Sequence, residues 1–70
     1  MKITVNGEEK AIESNSKKIS LSLILNKLGY EPKTIVVEVN EVIVNSKKWD
    51  ETAIKNGDKL EIVTIVGGGS

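Results

Sequence analysis

Asn56-Gly57-Asp58-Lys59-Leu60-Glu61-Ile62-Val63-Thr64-Ile65-Val66-Gly67-Gly68-Gly69-Ser70 is the stretch on which the fold turns. Asn56-Gly57-Asp58 is a tight turn, because these residues tolerate the backbone angles that turns demand. A strand follows. Leu60, Ile62 and Thr64 are expected on its inner side, and Glu61, Val63 and Ile65 on its outer side, because successive side chains alternate. Its nearly continuous apolar character suits a strand at the centre of a sheet. The chain then runs into glycine. Glycine loses conformational entropy when ordered and adds no side-chain contacts. A tail of it suits one purpose well: a backbone thin enough to enter a narrow channel in a partner, with the terminal carboxylate as its reactive group. The alternative is a plain Gly/Ser linker. The expected organisation is one domain over residues 1–66 and a flexible tail over 67–70.

Upstream, Lys2-Ile3-Thr4-Val5 alternates polar and apolar residues, with Ile3 and Val5 on one face. Asn6-Gly7 is a strong hairpin signal, since both residues accept positive φ. A second strand is expected over about 8–13, with Ile12 turned inward, then a polar loop from Glu13 to Lys18. Ser20 is a suitable helix N-cap. Leu21, Ile24, Leu25 and Leu28 follow at i, i+3, i+4 and i+7, the spacing of one buried helix face. Ile19 can staple the helix start against Ile24. Gly29 stands where a left-handed C-cap belongs, and Pro32 prevents resumption. Thr34–Val39 is a β-branched strand. Asn40-Glu41 turns it into a short strand, Val42–Val44, and Asn45–Asp50 reads as a capped single turn.

The chain has 70 residues, with ten lysines balanced by ten acids and no histidine or cysteine. A neutral balance argues against a nucleic-acid binder, which usually shows a basic excess. Absent cysteine excludes a disulfide framework, a thiolate metal site and a thiol nucleophile. Absent histidine removes the usual general base. No apolar stretch is long enough to span a membrane. Met1 reads straight into a strand, so no signal peptide is expected and the cytoplasm is the expected compartment. Asp50-Glu51 and Glu8-Glu9 have no convergent partner in sequence, so catalytic carboxylates are not expected.

One helix among four or five strands implies an α+β domain: a mixed sheet with the helix packed across one face. This is the β-grasp arrangement, in which the first and last strands lie side by side in parallel. Val63 and Ile65, joined by Val36, are then expected on the open face as a partner-binding patch. Glu38, Glu41 and Glu61 are candidates to meet basic groups of a partner. Trp49, the sole tryptophan, reads as a packing anchor.

Several pieces stand together in a telling order: Lys2-Ile3-Thr4-Val5-Asn6-Gly7, the helix ending Leu28-Gly29, Val37-Glu38-Val39-Asn40, Lys47-Lys48-Trp49, and Asn56–Val63 running into Val66-Gly67-Gly68. In this order and at this length they resemble the sulfur-carrier proteins of thiamine (thiazole) biosynthesis. The resemblance implies the ubiquitin-like β-grasp fold, and that the chain is no enzyme itself but a carrier acted on by partner enzymes. A ubiquitin-activating-type enzyme would use ATP to adenylate the C-terminal glycine. Sulfur from a cysteine desulfurase persulfide would replace AMP, and the thiocarboxylate would donate it to thiazole synthase. No permanently bound cofactor, metal, nucleic acid or membrane is implied. The family typically ends in Gly-Gly, whereas this chain has three glycines and Ser70, so Gly68 and Gly69 both stand as the residue activated, with Gly67 in the tail. The alternatives are a molybdopterin-synthase-type small subunit, a ubiquitin-like protein modifier, and a passive β-grasp interaction module whose tail is only a linker.

Overall fold

Hairpins build the sheet of the computed structural model, which describes residues 1–13 and 18–65. β1 (Lys2–Val5) and β2 (Glu8–Ala11) are joined by Asn6-Gly7, both at positive φ, 51° and 83°. That is the two-residue loop whose twist matches antiparallel strands. β4 (Ile35–Val39) and β5 (Val42–Val44) are joined the same way by Asn40-Glu41, at φ 50° and 72°. Between the hairpins lie β3 (Ile19–Ser20) and the helix α1 (Leu21–Leu28). After β5 come a 3₁₀ segment, Ser46–Glu51, then β6 (Ala53–Ile54) and β7 (Lys59–Thr64). The five-stranded order is β2-β1-β7-β4-β5, and β3 and β6 form a separate two-stranded ladder.

β7 is central, as its apolar character requires. It pairs in parallel with β1 through Thr4↔Lys59 and Val5↔Leu60, and antiparallel with β4 from Ile35↔Thr64 to Val39↔Leu60. The mixed sheet with its single helix is the expected β-grasp architecture. Ile3, Val5, Ile35, Val37, Leu60 and Ile62 supply the inner face, and they share one buried cluster with Leu21, Ile24 and Leu25 of the helix. The Ser20 hydroxyl accepts from the Leu23 N–H at 3.2 Å, and Gly29 is left-handed at φ 82°. Both caps therefore lie where the sequence puts them. Ile12 and Ile19 are buried in the same cluster, just outside the sheet and at the start of the helix.

Two expected core positions differ. Leu28 is only half-buried, because it is the last helical residue and borders a surface depression beside Ala11, Ile12 and Glu13. Thr64 is exposed, because it occupies the last rung of the β7 ladder. Trp49 anchors its segment as expected: it is buried, and its indole Nε1 donates to the Val44 carbonyl at 3.0 Å. Asn45 caps the 3₁₀ segment by accepting from the Lys47 N–H at 2.9 Å. No helix among the described residues is long and apolar enough to cross a membrane.

Candidate functional site

The face of the sheet away from α1 carries the site. Its composition follows from the two-residue period of β7 and β4. Ile3, Val5, Leu60 and Ile62 point inward, so Glu61 and Val63 must point outward. On β4, Ile35 and Val37 point inward, leaving Val36 and Glu38 outside. Register then fixes the neighbours. Val36 lies directly opposite Val63, and Glu38 lies opposite Glu61 on one side and Ile43 on the other. Beyond Val63 the chain reaches Ile65, whose N–H donates to the Thr34 carbonyl at 2.6 Å. The face therefore reads, along β7 toward its C-terminal end, as an acid pair, then an apolar pair, then Ile65.

Val63 and Ile65 are 59% and 53% exposed, unusually open for large apolar side chains, while Val36 is half-buried beside Val63. These three residues come together as the alternation predicts. Ile43, 67% exposed and one strand away, extends the same patch. Sequence reasoning places Ile43 on a strand but assigns it no face. The signal was available: a two-residue loop at Asn40-Glu41 pairs Val39 with Val42, which puts Ile43 beside Glu38. Gly67, Gly68 and Gly69, the expected tail and activation positions, lie outside the described residues.

Asn6 is a further residue that sequence reading treats only as a turn former. Its side-chain Nδ2 donates to the Ile62 carbonyl at 3.1 Å, and its Oδ1 accepts from the Ile62 N–H at 2.7 Å. The carboxamide thus continues the parallel β1–β7 ladder by one rung after β1 itself has turned away. It braces the half of β7 that carries Val63 and leads to the tail.

Acids elsewhere are in ordinary surface arrangements. Glu8 pairs with Lys10, Glu9 with Lys2 and Glu51 with Lys48, at 3.6–4.0 Å and well exposed. Asp50 accepts from the Ser22 hydroxyl. Among the described residues no three His, Cys, Asp or Glu side chains gather as a metal site would require. What the face offers chemically is a desolvatable apolar surface next to two carboxylates, at the end of the strand that leads into the glycines.

Comparison with known proteins follows the same outline. The model of the ThiS family matches residues 3–69. The crystal structure of a thiamine biosynthesis protein (ThiS) from Geobacter metallireducens is similar at TM-score 0.82 and 27% identity, over 99% of this chain and 100% of that one. A thiazole synthase of Paramagnetospirillum magneticum is 39% identical over 70 residues, all of this chain and 21% of that protein. An uncharacterized protein, ycf40, of Trieres chinensis is 42% identical over 65 residues, 93% of this chain and 85% of that protein. The chain thus spans about a fifth of the length of the thiazole synthase it matches.

Proposed function

The chain belongs to the ThiS family, and on that premise we propose that it carries sulfur as a thiocarboxylate on a C-terminal glycine, Gly68 or Gly69, for thiazole formation. Hydrolysis of the peptide bond after that glycine would free its carboxylate, which is a poor electrophile. A partner activating enzyme would join it to AMP from ATP, releasing pyrophosphate and creating a good leaving group. The terminal sulfur of a desulfurase-derived persulfide then attacks the acyl carbon and expels AMP. A thiol cleaves the resulting acyl disulfide, is itself oxidised to a disulfide, and leaves the thiocarboxylate. Thiazole synthase would take that sulfur. These steps ask no acid, base or metal of the carrier, only a thin tail and a surface that docks.

The observation that carries this reading is the extent of the family match, which runs to residue 69 and so takes in the glycines. The relative of Paramagnetospirillum magneticum supports thiazole synthase as the acceptor, since a domain like this one stands within a longer protein of that name. The open face supports docking. Gly68 is four residues beyond the end of β7, a reach of at most about 14 Å, so an enzyme that takes the Gly68 carboxylate into its active site must sit close against that end of the strand. Val36, Val63 and Ile65 are the apolar groups it would cover.

Deleting residues 67–70 should abolish ATP–pyrophosphate exchange with the cognate activating enzyme while circular dichroism stays unchanged. Removing Ser70 alone should preserve or raise exchange, because it exposes a glycine carboxylate without a Cβ to obstruct the channel. Adenylation of the tail-deleted chain would eliminate the carrier reading and leave a passive interaction module.

A further inference from the structure

The ladder between β4 and β7 continues past its last strand pair, Ile35↔Thr64. In an antiparallel ladder every second pair exchanges backbone hydrogen bonds. Asn40 and Lys59 stand in such a pair at one end, with the Asn40 N–H donating to the Lys59 carbonyl at 2.8 Å. Followed along the register, Glu38 with Glu61 and Val36 with Val63 are the next bonded pairs, and Thr34 with Ile65 comes after them. The Ile65 N–H does donate to the Thr34 carbonyl, at 2.6 Å. Among the described residues this is the last backbone bond along the strand that leads to the glycines. It is also single. The Thr34 N–H, which would return it, donates to the Glu31 carbonyl at 3.1 Å instead.

The local sequence explains how one carbonyl is kept in place. Thr34 closes a 3₁₀ turn, Pro32–Thr34, with Glu31 before it. Pro32 opens that turn with φ locked at about −65° and no N–H to satisfy. The Thr34 hydroxyl donates to the same Glu31 carbonyl as its own N–H, at 3.0 Å. Two donors of one residue are therefore tied to one oxygen, and the Thr34 carbonyl is left facing β7.

We propose that Thr34 is a positioning residue for the reactive end of the chain. By holding Ile65 it sets the point from which the glycines are presented to the activating enzyme. This rests on the carrier reading and deepens it. Measured from Thr64, the Gly68 carboxylate lies four residues away, within about 14 Å; measured from Ile65 it lies three away, within about 11 Å. Releasing Ile65 adds a residue whose backbone must be fixed at each encounter. That costs roughly 5- to 30-fold in apparent affinity. Once the carboxylate is seated the reacting geometry is the same, so the loss falls on KM and leaves kcat unchanged.

ATP–pyrophosphate exchange with the cognate activating enzyme, run against carrier concentration, tests this. Both the full chain and the chain without Ser70 are used, well below their melting temperatures so that every variant is folded. Thr34→Val keeps the shape and removes the hydroxyl donor. It should raise KM roughly 2- to 10-fold, the worth of one hydrogen bond, with kcat unchanged and faster hydrogen exchange at the Ile65 amide. Thr34→Ser restores the donor and should match the parent. A synthetic chain with an ester in place of the Thr64–Ile65 amide lacks the Ile65 N–H outright and should show the full 5- to 30-fold rise. A purely structural role would lower the melt and leave KM alone. Parent-like KM in both Thr34→Val and the ester chain overturns the proposal, as does a fall in kcat at constant KM. Exchange absent from every chain, the parent included, overturns the carrier reading and this inference with it.

Discussion

Replacing Asn6 tests how the tail-bearing strand is held. The Asn6 carboxamide makes two hydrogen bonds to the Ile62 backbone, at 2.7 and 3.1 Å, and Asn6 itself sits at φ 51°. Asn6→Gly removes both bonds and keeps the backbone angle free of strain. Each bond is worth about 0.5–1.5 kcal/mol net, so the loss should be roughly 1–3 kcal/mol. Asn6→Ala removes the same bonds and adds about 1 kcal/mol for a Cβ in the left-handed region. A domain of this size has only about 3–5 kcal/mol from its core. At roughly 4–8 °C per kcal/mol, Asn6→Gly should melt about 4–24 °C below the parent and Asn6→Ala lower still. Circular dichroism melts give the order, and hydrogen exchange at the Ile62 amide gives the location. A melt of Asn6→Ala within about 2 °C of the parent, with Ile62 exchange unchanged, would refute the bracing role. Asn6→Ala proving more stable than Asn6→Gly would refute the strain component.

Other substitutions separate core, face and charge. Leu25→Ala, at a position 2% exposed, should cost about 2–5 kcal/mol by leaving a cavity; a denaturant midpoint equal to the parent's would remove Leu25 from the core. Val63→Asp should leave the melt nearly unchanged yet slow adenylation, because the new carboxylate must be desolvated on docking; collapse of the fold instead would mean the face is assigned wrongly. Glu61→Gln should raise stability by about 0.2–1 kcal/mol at low salt, since Glu38 lies directly opposite. That gain should fade in high salt as screening shortens the reach of the charges, and a gain of equal size at all salt concentrations would point to another cause.

The helix, both caps and the central position of the last strand were legible because each rests on local chemistry. A 3.6-residue apolar stripe, a Ser hydroxyl and a left-handed glycine carry their meaning within a few residues. The outward placement of Val63 and Ile65 followed from strand alternation alone. What stayed hidden depends on contacts distant in sequence. The ladder between Ile19-Ser20 and Ala53-Ile54 joins two dipeptides too short to show periodicity. The side-chain rung from Asn6 to Ile62 spans 56 positions and cannot be read from a turn motif. Leu28 fits the helical stripe, yet the stripe does not say where cover ends. Ile43 joined the outer patch only once the β4–β5 register was fixed.

Intact mass of the protein recovered from its source cells, grown without thiamine, tests the central claim most directly. The account predicts a chain ending at Gly68 or Gly69, with a fraction heavier by the replacement of one oxygen by sulfur. Fragmentation should place that change on the terminal carboxyl group. A chain that retains Ser70 in full, with no sulfur at its end while the cells are making thiazole, would contradict it.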